Sequence, residues 1–310
     1  MRRHSRILAL VLAIFGGLSA HAKSPCVRYL EGNLKLVYDP GSPMDQAHQL
    51  ERLARVIEVS NTEQFAELAH PTYLELSVYA KTTPAFNAEF WTITQFLEPR
   101  DERTAAILDA HEYAHAVFTI NMLGYSPDWR EWQTSWIKYR NEEDLNEKAE
   151  LKAIPSLWRI SKLYQELFSD LAAIFYDGSY SFYADVLLAD LYASAKDKSE
   201  ETKTAEAARN FMTVTPLENW NVTLAKVSAR ARSHVLLNPT RSYIYENYLQ
   251  GQRAIAKSHF MARLFKSLAM ELVEKAKAPD FWAIDAETIN RDLMQRLEQD
   301  LVAFKRPSRF

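Results

Sequence analysis

The chain has 310 residues, 47% of them hydrophobic and 25% charged, and carries a formal net charge of −3 at pH 7. This is an ordinary globular composition, long enough for one large domain or two modest ones, and it excludes disordered and collagen-like classes. The slightly acidic balance excludes a strong electrostatic case for nucleic acid, and glycine, at seven residues, is scarce enough to favour helices over a sandwich or barrel.

Residues 1–22 read as a secretory leader. Arg2, Arg3 and Arg6 make a basic start, residues 7–18 are apolar, and Ala20-His21-Ala22 is a small-x-small cleavage pattern. The apolar run is short for a bilayer span. The expectation is therefore cleavage and export, to the periplasm or out of the cell, with no membrane-spanning segment in the mature chain. Cys26 is the only cysteine and can form no intramolecular disulfide. Lys23-Ser24-Pro25 before it lacks the small residues that lipid attachment needs, so it reads as a bystander.

Downstream of the leader, Gly32-Asn33 is a turn signal between short strands at 26–30 and 34–38. Residues 43–58 and 62–69 read as helices. Alternating apolar and polar residues predict strands at 73–80 and 88–97, with Pro84 and Asn87 marking the loop between them. Asp101 is suited to cap a helix running to Leu123, with Gly124 placed just past its end. From there the pattern is helical almost throughout: 141–152, a helix opened by Pro155-Ser156 and ended by Gly178, then 180–195, 202–212, 220–233, 252–277 and 286–304. The Lys- and Glu-rich stretch 196–203 reads as a solvated loop. There is no internal repeat and no low-complexity tract. The predicted fold is mainly α with a small antiparallel sheet, in one domain over 23–310.

Residues 111–115 are His-Glu-Tyr-Ala-His. On an α-helix, positions i and i+4 share one face, so His111 and His115 can reach one ion while Glu112 lies beside it. That suits a carboxylate acting as base on water at a metal. The pattern arises by chance in roughly one chain of this length per hundred, so its surroundings must carry it. Leu108, Phe118 and Met122 share the histidine face. Two imidazoles on an apolar face need partners, and a metal supplies one.

A second constellation is independent of the first. Residues 165–170 are Gln-Glu-Leu-Phe-Ser-Asp, which puts Glu166 and Asp170 four apart among the apolar Ile160, Leu167, Leu171, Ile174 and Phe175. A carboxylate pair on such a face is costly unless metal or hydrogen bonds offset it. Glu166 is the candidate third ligand, and Asp170 the acceptor for the free ring N–H of a ligating histidine.

His111-Glu112-x-x-His115 followed by Glu166-x-x-Ser169-Asp170 resembles the gluzincins, the zinc peptidases whose third ligand is a glutamate. The wording is similar to thermolysin, and the helical setting to the CaaX- and heat-shock-protease branch. The resemblance implies one zinc per chain, a zincin-like core over 23–178 and a helical C-terminal subdomain over 179–310. It also implies a peptide or protein substrate, bound by strand addition to an edge strand within residues 85–97. The stretch between His115 and Glu166, with its Trp-rich segment 127–140, is longer than the thermolysin pattern. Trp129, Trp132 and Trp136 form a helical stripe best suited to core or lid packing. Within residues 232–245, His234 is the candidate to stabilise the oxyanion, with Arg241 and Tyr243 as further transition-state or substrate contacts. Arg241 equally suits a salt bridge in helix packing. His48, His70 and His259 read as structural or solvent-facing. The competing reading is a helical cell-envelope binding or scaffold protein with a vestigial or purely structural zinc site. A zinc hydrolase that is not a peptidase is a third.

Overall fold

The computed structural model describes residues 26–29, 34–38, 46–79, 85–88, 91–96, 101–126, 129, 156–180, 200–227, 229–251, 255–277 and 285–305. The leader, the helices expected at 141–152 and 180–195, Trp132 and Trp136 lie outside these residues.

The chain is mainly helical with one small sheet, as its composition implies. The strands are β1 (Cys26–Tyr29), β2 (Leu34–Tyr38), β3 (Leu74–Tyr79), β4 (Ala85–Asn87) and β5 (Thr92–Phe96). Their spatial order is β1-β2-β3-β5-β4. The sheet is mixed, which corrects the antiparallel expectation: β2, β3 and β5 run parallel, and only the two outer strands are antiparallel to their neighbours. The reason is the connection. Helix α1 (Gln46–Glu63) crosses over from β2 to β3, which lets both strands run the same way. β4 then returns along the far edge and β5 fills the gap between it and β3. Asn87, expected in a loop, is the last residue of β4 and pairs with Thr92.

Helix α1 is one element where two were expected. It runs unbroken through Asn61 and Thr62, and the chain then turns over residues 64–68 so that Phe65 is fully buried. Gln64 and Phe65 both donate their N–H to the Ser60 carbonyl, ending the helix.

Helix α2 (Glu102–Tyr125) starts at its expected cap: the Asp101 carboxylate accepts from Thr104 N at 2.8 Å. It continues through Gly124 to Tyr125, two residues past the expected stop, because Gly124 is not in the left-handed region that terminates helices. From Ala106 to Thr119 every residue of α2 is buried. Such a helix is surrounded, not laid on a surface.

Its main partner is α3 (Ser156–Asp177), which Gly178, at φ +80°, ends as expected. The two helices are antiparallel. Arg103 in the first turn of α2 makes a two-point pair with Asp177 at the end of α3, at 2.6 and 2.9 Å. Between them sits an aromatic cluster. Phe118 lies 5.5 Å from Phe168 edge-on, Phe65 stacks on Phe168 at 5.7 Å, and Phe265 meets Phe118 at 5.4 Å. Each such pair adds about 0.5–1.5 kcal/mol beyond area burial.

Among the described residues, the other helices are α4 (Glu200–Ala207), α5 (Trp220–Ala225), α6 (Ala229–Val235), α7 (Asn238–Ile244), α8 (Lys257–Ala276) and α9 (Ala286–Asp300), with α8 packed on α3 and α9 on α8. A π-helical turn (Tyr245–Leu249) follows α7, and a 3-10 turn (Val302–Phe304) follows α9. Three expectations are corrected here. Residues 200–203, expected as loop, open α4, and α4 ends at Ala207. The helix expected at 220–233 is two, because Arg232 takes the carbonyls of Val227 and Ala225 that a continuous helix would use internally. Among the described residues, no helix is long and apolar enough to cross a membrane.

Candidate metal centre

His111, Glu112 and His115 project from α2, and Glu166 and Asp170 from the facing turns of α3. Because the helices are antiparallel, His111 meets Asp170 while His115 meets Glu166. His111, His115 and Glu166 form a buried group whose ligand atoms all lie within 4.8 Å of one another, and which can hold a metal ion. The two Nε2 atoms are 3.1 Å apart. The Glu166 oxygens lie 3.6 Å from His111 Nε2 and 3.9 Å from His115 Nε2. Ligand atoms on a tetrahedral zinc with bonds of about 2.0–2.1 Å sit about 3.3 Å from each other. Two imidazoles and one carboxylate at these separations fit such an ion, and three protein ligands leave a fourth position open.

His111 is oriented by Asp170, whose Oδ1 lies 3.3 Å from Nδ1. That contact directs the Nε2 lone pair into the site. Asp170 is fully buried, and two guanidiniums hold it. Arg241 donates from Nε at 2.9 Å and Nη2 at 2.6 Å to Oδ2, and Arg209 donates from Nη2 at 2.6 Å to Oδ1. Arg241 also donates to Asn238 Oδ1 at 3.1 Å, so it serves as a buried salt bridge that fixes Asp170. Thr240, beside it on α7, is tied to Asn290 of α9 at 2.6 Å, which anchors α7 from behind.

His234, from the end of α6, is a third exposed, and its Nδ1 lies 3.1 Å from Glu166 Oε2. The structure thus brings it to the site. Tyr243 is not gathered there: its ring packs edge-on to Tyr248 at 6.0 Å. His48 and His259 pair with Glu102 and Glu67 in exposed positions, and His70 bonds the Phe65 carbonyl. Trp129 is fully buried, as the core reading of the stripe expects.

The electrostatics separate the groups by role. Burial and the neighbouring His111 push His115 down to about 3, so its imidazole is neutral with a lone pair to give. Burial opposes charge on His111 as well, but the Asp170 hydrogen bond and the carboxylates of Glu112, Asp170 and Glu166 outweigh it and raise its pKa. Burial would raise Glu166, yet His234, His115 and Arg209 hold it well below the usual carboxylate range. Burial likewise fails to raise Asp170, because Arg209, Arg241 and His111 stabilise its charge. Glu112 behaves differently. Burial, reinforced by Glu166, pushes it up to about 7, against the opposing influence of His111 and of the Phe86 backbone N–H. A carboxyl near neutrality is suited to taking and returning a proton. The Phe86 contact also places the edge strand β4 directly against Glu112.

Two participants escape sequence reasoning. Arg209 lies in a turn after α4, with no spacing relation to either motif, and the Phe86 contribution is a backbone amide. Comparison with profiles of known protein families gives no match, and comparison with curated proteins gives none either.

Proposed function

We propose that this protein is an exported zinc-dependent metallopeptidase of gluzincin type. What supports the reading is the convergence of His111 and His115 from one buried helix with Glu166 from its antiparallel neighbour, with Glu112 beside them and a sheet edge against Glu112. The donor set of two imidazoles and a carboxylate suits zinc. When bound, zinc supplies a Lewis acid and lowers the pKa of water toward neutrality. Glu112 takes the proton of the attacking water and passes it to the amine as the peptide C–N bond breaks. His234, a third exposed and with its Nδ1 3.1 Å from Glu166 Oε2, is the donor for the negative charge that develops on the carbonyl oxygen in this reading. Asp170 keeps His111 in one tautomer, and β4, the strand against Glu112, aligns an extended peptide.

The test is Glu112→Gln beside the wild type. One zinc per chain in both, with peptide hydrolysis in the variant lowered by about 10²–10⁴-fold, is the expected result. Full hydrolytic activity in the variant, or a wild type that takes up no zinc, refutes the reading.

A further inference from the structure

Resting on that reading, we infer that Arg209 is a positioning residue of the metal centre: it bridges Glu166 and Asp170 and turns the third ligand toward the two imidazoles. One guanidinium nitrogen, Nη2, lies 3.1 Å from Glu166 Oε2 and 2.6 Å from Asp170 Oδ1, and Nε lies 3.3 Å from Asp170 Oδ2. The side chain is 8% exposed, so these contacts are made away from water.

Glu166 Oε2 is thereby flanked on two sides, by Arg209 Nη2 and by His234 Nδ1, each at 3.1 Å. Oε1 is the oxygen nearer His115, at 3.9 Å, and Oε2 the one nearer His111, at 3.6 Å. A carboxylate oxygen has two lone pairs, so the Arg209 hydrogen bond occupies one side of Oε2 and fixes the plane in which the carboxylate faces the two imidazoles. Without Arg209, Glu166 can rotate and present either oxygen or both. The same guanidinium braces Asp170, which orients His111. One side chain from outside both motif helices thus constrains two of the three ligands. Lysine retains the charge at this position but not the planar fork that spans two carboxylates.

The experiment uses the full mature chain as Arg209→Met, Arg209→Lys and wild type. Zinc dissociation constants are measured by competition with a chromophoric chelator, and the visible spectrum of the cobalt(II)-substituted proteins reports ligand geometry. Both variants are expected to bind zinc more weakly, the methionine variant by about 10–100-fold, with altered cobalt bands. If the methionine variant does not fold, the lysine variant carries the test, with weakening of at least about fivefold expected. Zinc affinity within twofold of wild type and an unchanged cobalt spectrum overturn the assignment. So does a variant that loses only thermal stability in chelator, which marks Arg209 as packing alone. In either case a wild type binding one zinc leaves the metallopeptidase reading standing. A wild type that binds none overturns both.

Discussion

Asp170→Asn is the sharpest probe of how the centre is held. Asp170 is fully buried and its carboxylate accepts from Arg241 at 2.9 and 2.6 Å and from Arg209 at 2.6 Å. The substitution keeps the shape but removes the charge and places an amide N–H₂ against a guanidinium. Two buried cations then lose their shared counter-charge, a change that costs about 3–5 kcal/mol. At about 2–4 °C per kcal/mol this is a fall in Tm of roughly 6–20 °C. The assay is thermal unfolding in excess chelator, so that lost metal binding does not contribute, with Arg241→Met and the double variant alongside. Arg241 is fully buried and sits on the same carboxylate, so the double variant should be less destabilised than the summed singles, by about 1–3 kcal/mol. A fall in Tm under about 2 °C for Asp170→Asn, or strict additivity in the cycle, refutes the argument that Asp170 neutralises these two arginines.

Phe118→Ala empties the aromatic contact between α2 and α3 and should lower stability by about 3–5 kcal/mol, read from urea unfolding. His234→Ala should leave one zinc per chain but lower turnover by about 10²-fold, read from peptide hydrolysis and metal content together. At the start of α9, hydrogen bonds from Asn221 and Thr288 hold the Asp285 carboxyl down at about 2. A folded pKa below the unfolded value means the unfolded chain binds more protons between the two. The stabilisation from Asp285 is therefore complete above about pH 4 and is lost as pH falls toward about 2. Asp285→Ala should cost about 1 kcal/mol at pH 7. The wild type and variant stability curves should converge on acidification; a gap that stays constant down to pH 3 contradicts this account.

Much of the centre is legible in the order of residues because its motifs are local. His111 with His115, and Glu166 with Asp170, are i, i+4 pairs, and helical geometry alone places each pair on one face. The caps behave likewise: Asp101 and Gly178 act within one turn of themselves, so their positions could be read directly. Helix ends set by other segments could not. The break between α5 and α6 depends on Arg232 reaching back to the carbonyls of Ala225 and Val227, and the extension of α2 past Gly124 depends on a backbone angle no residue type dictates.

Strand existence and strand direction divide the same way. Alternation in 73–80 identifies a strand, because period two is a local property. Whether that strand runs parallel to β2 depends on the crossover through α1, a long-range arrangement. The centre repeats this division at the scale of single atoms. By itself the sequence determined that two histidines share a helix face and that two carboxylates share another, since a helix repeats every 3.6 residues wherever it lies. Only the tertiary structure decided that the faces meet antiparallel, that Arg241 arrives on Asp170 and that Arg209 arrives from a turn to bridge Asp170 and Glu166. Those contacts join residues tens of positions apart, and buried charges select their partners by proximity in the folded chain, not by spacing along it.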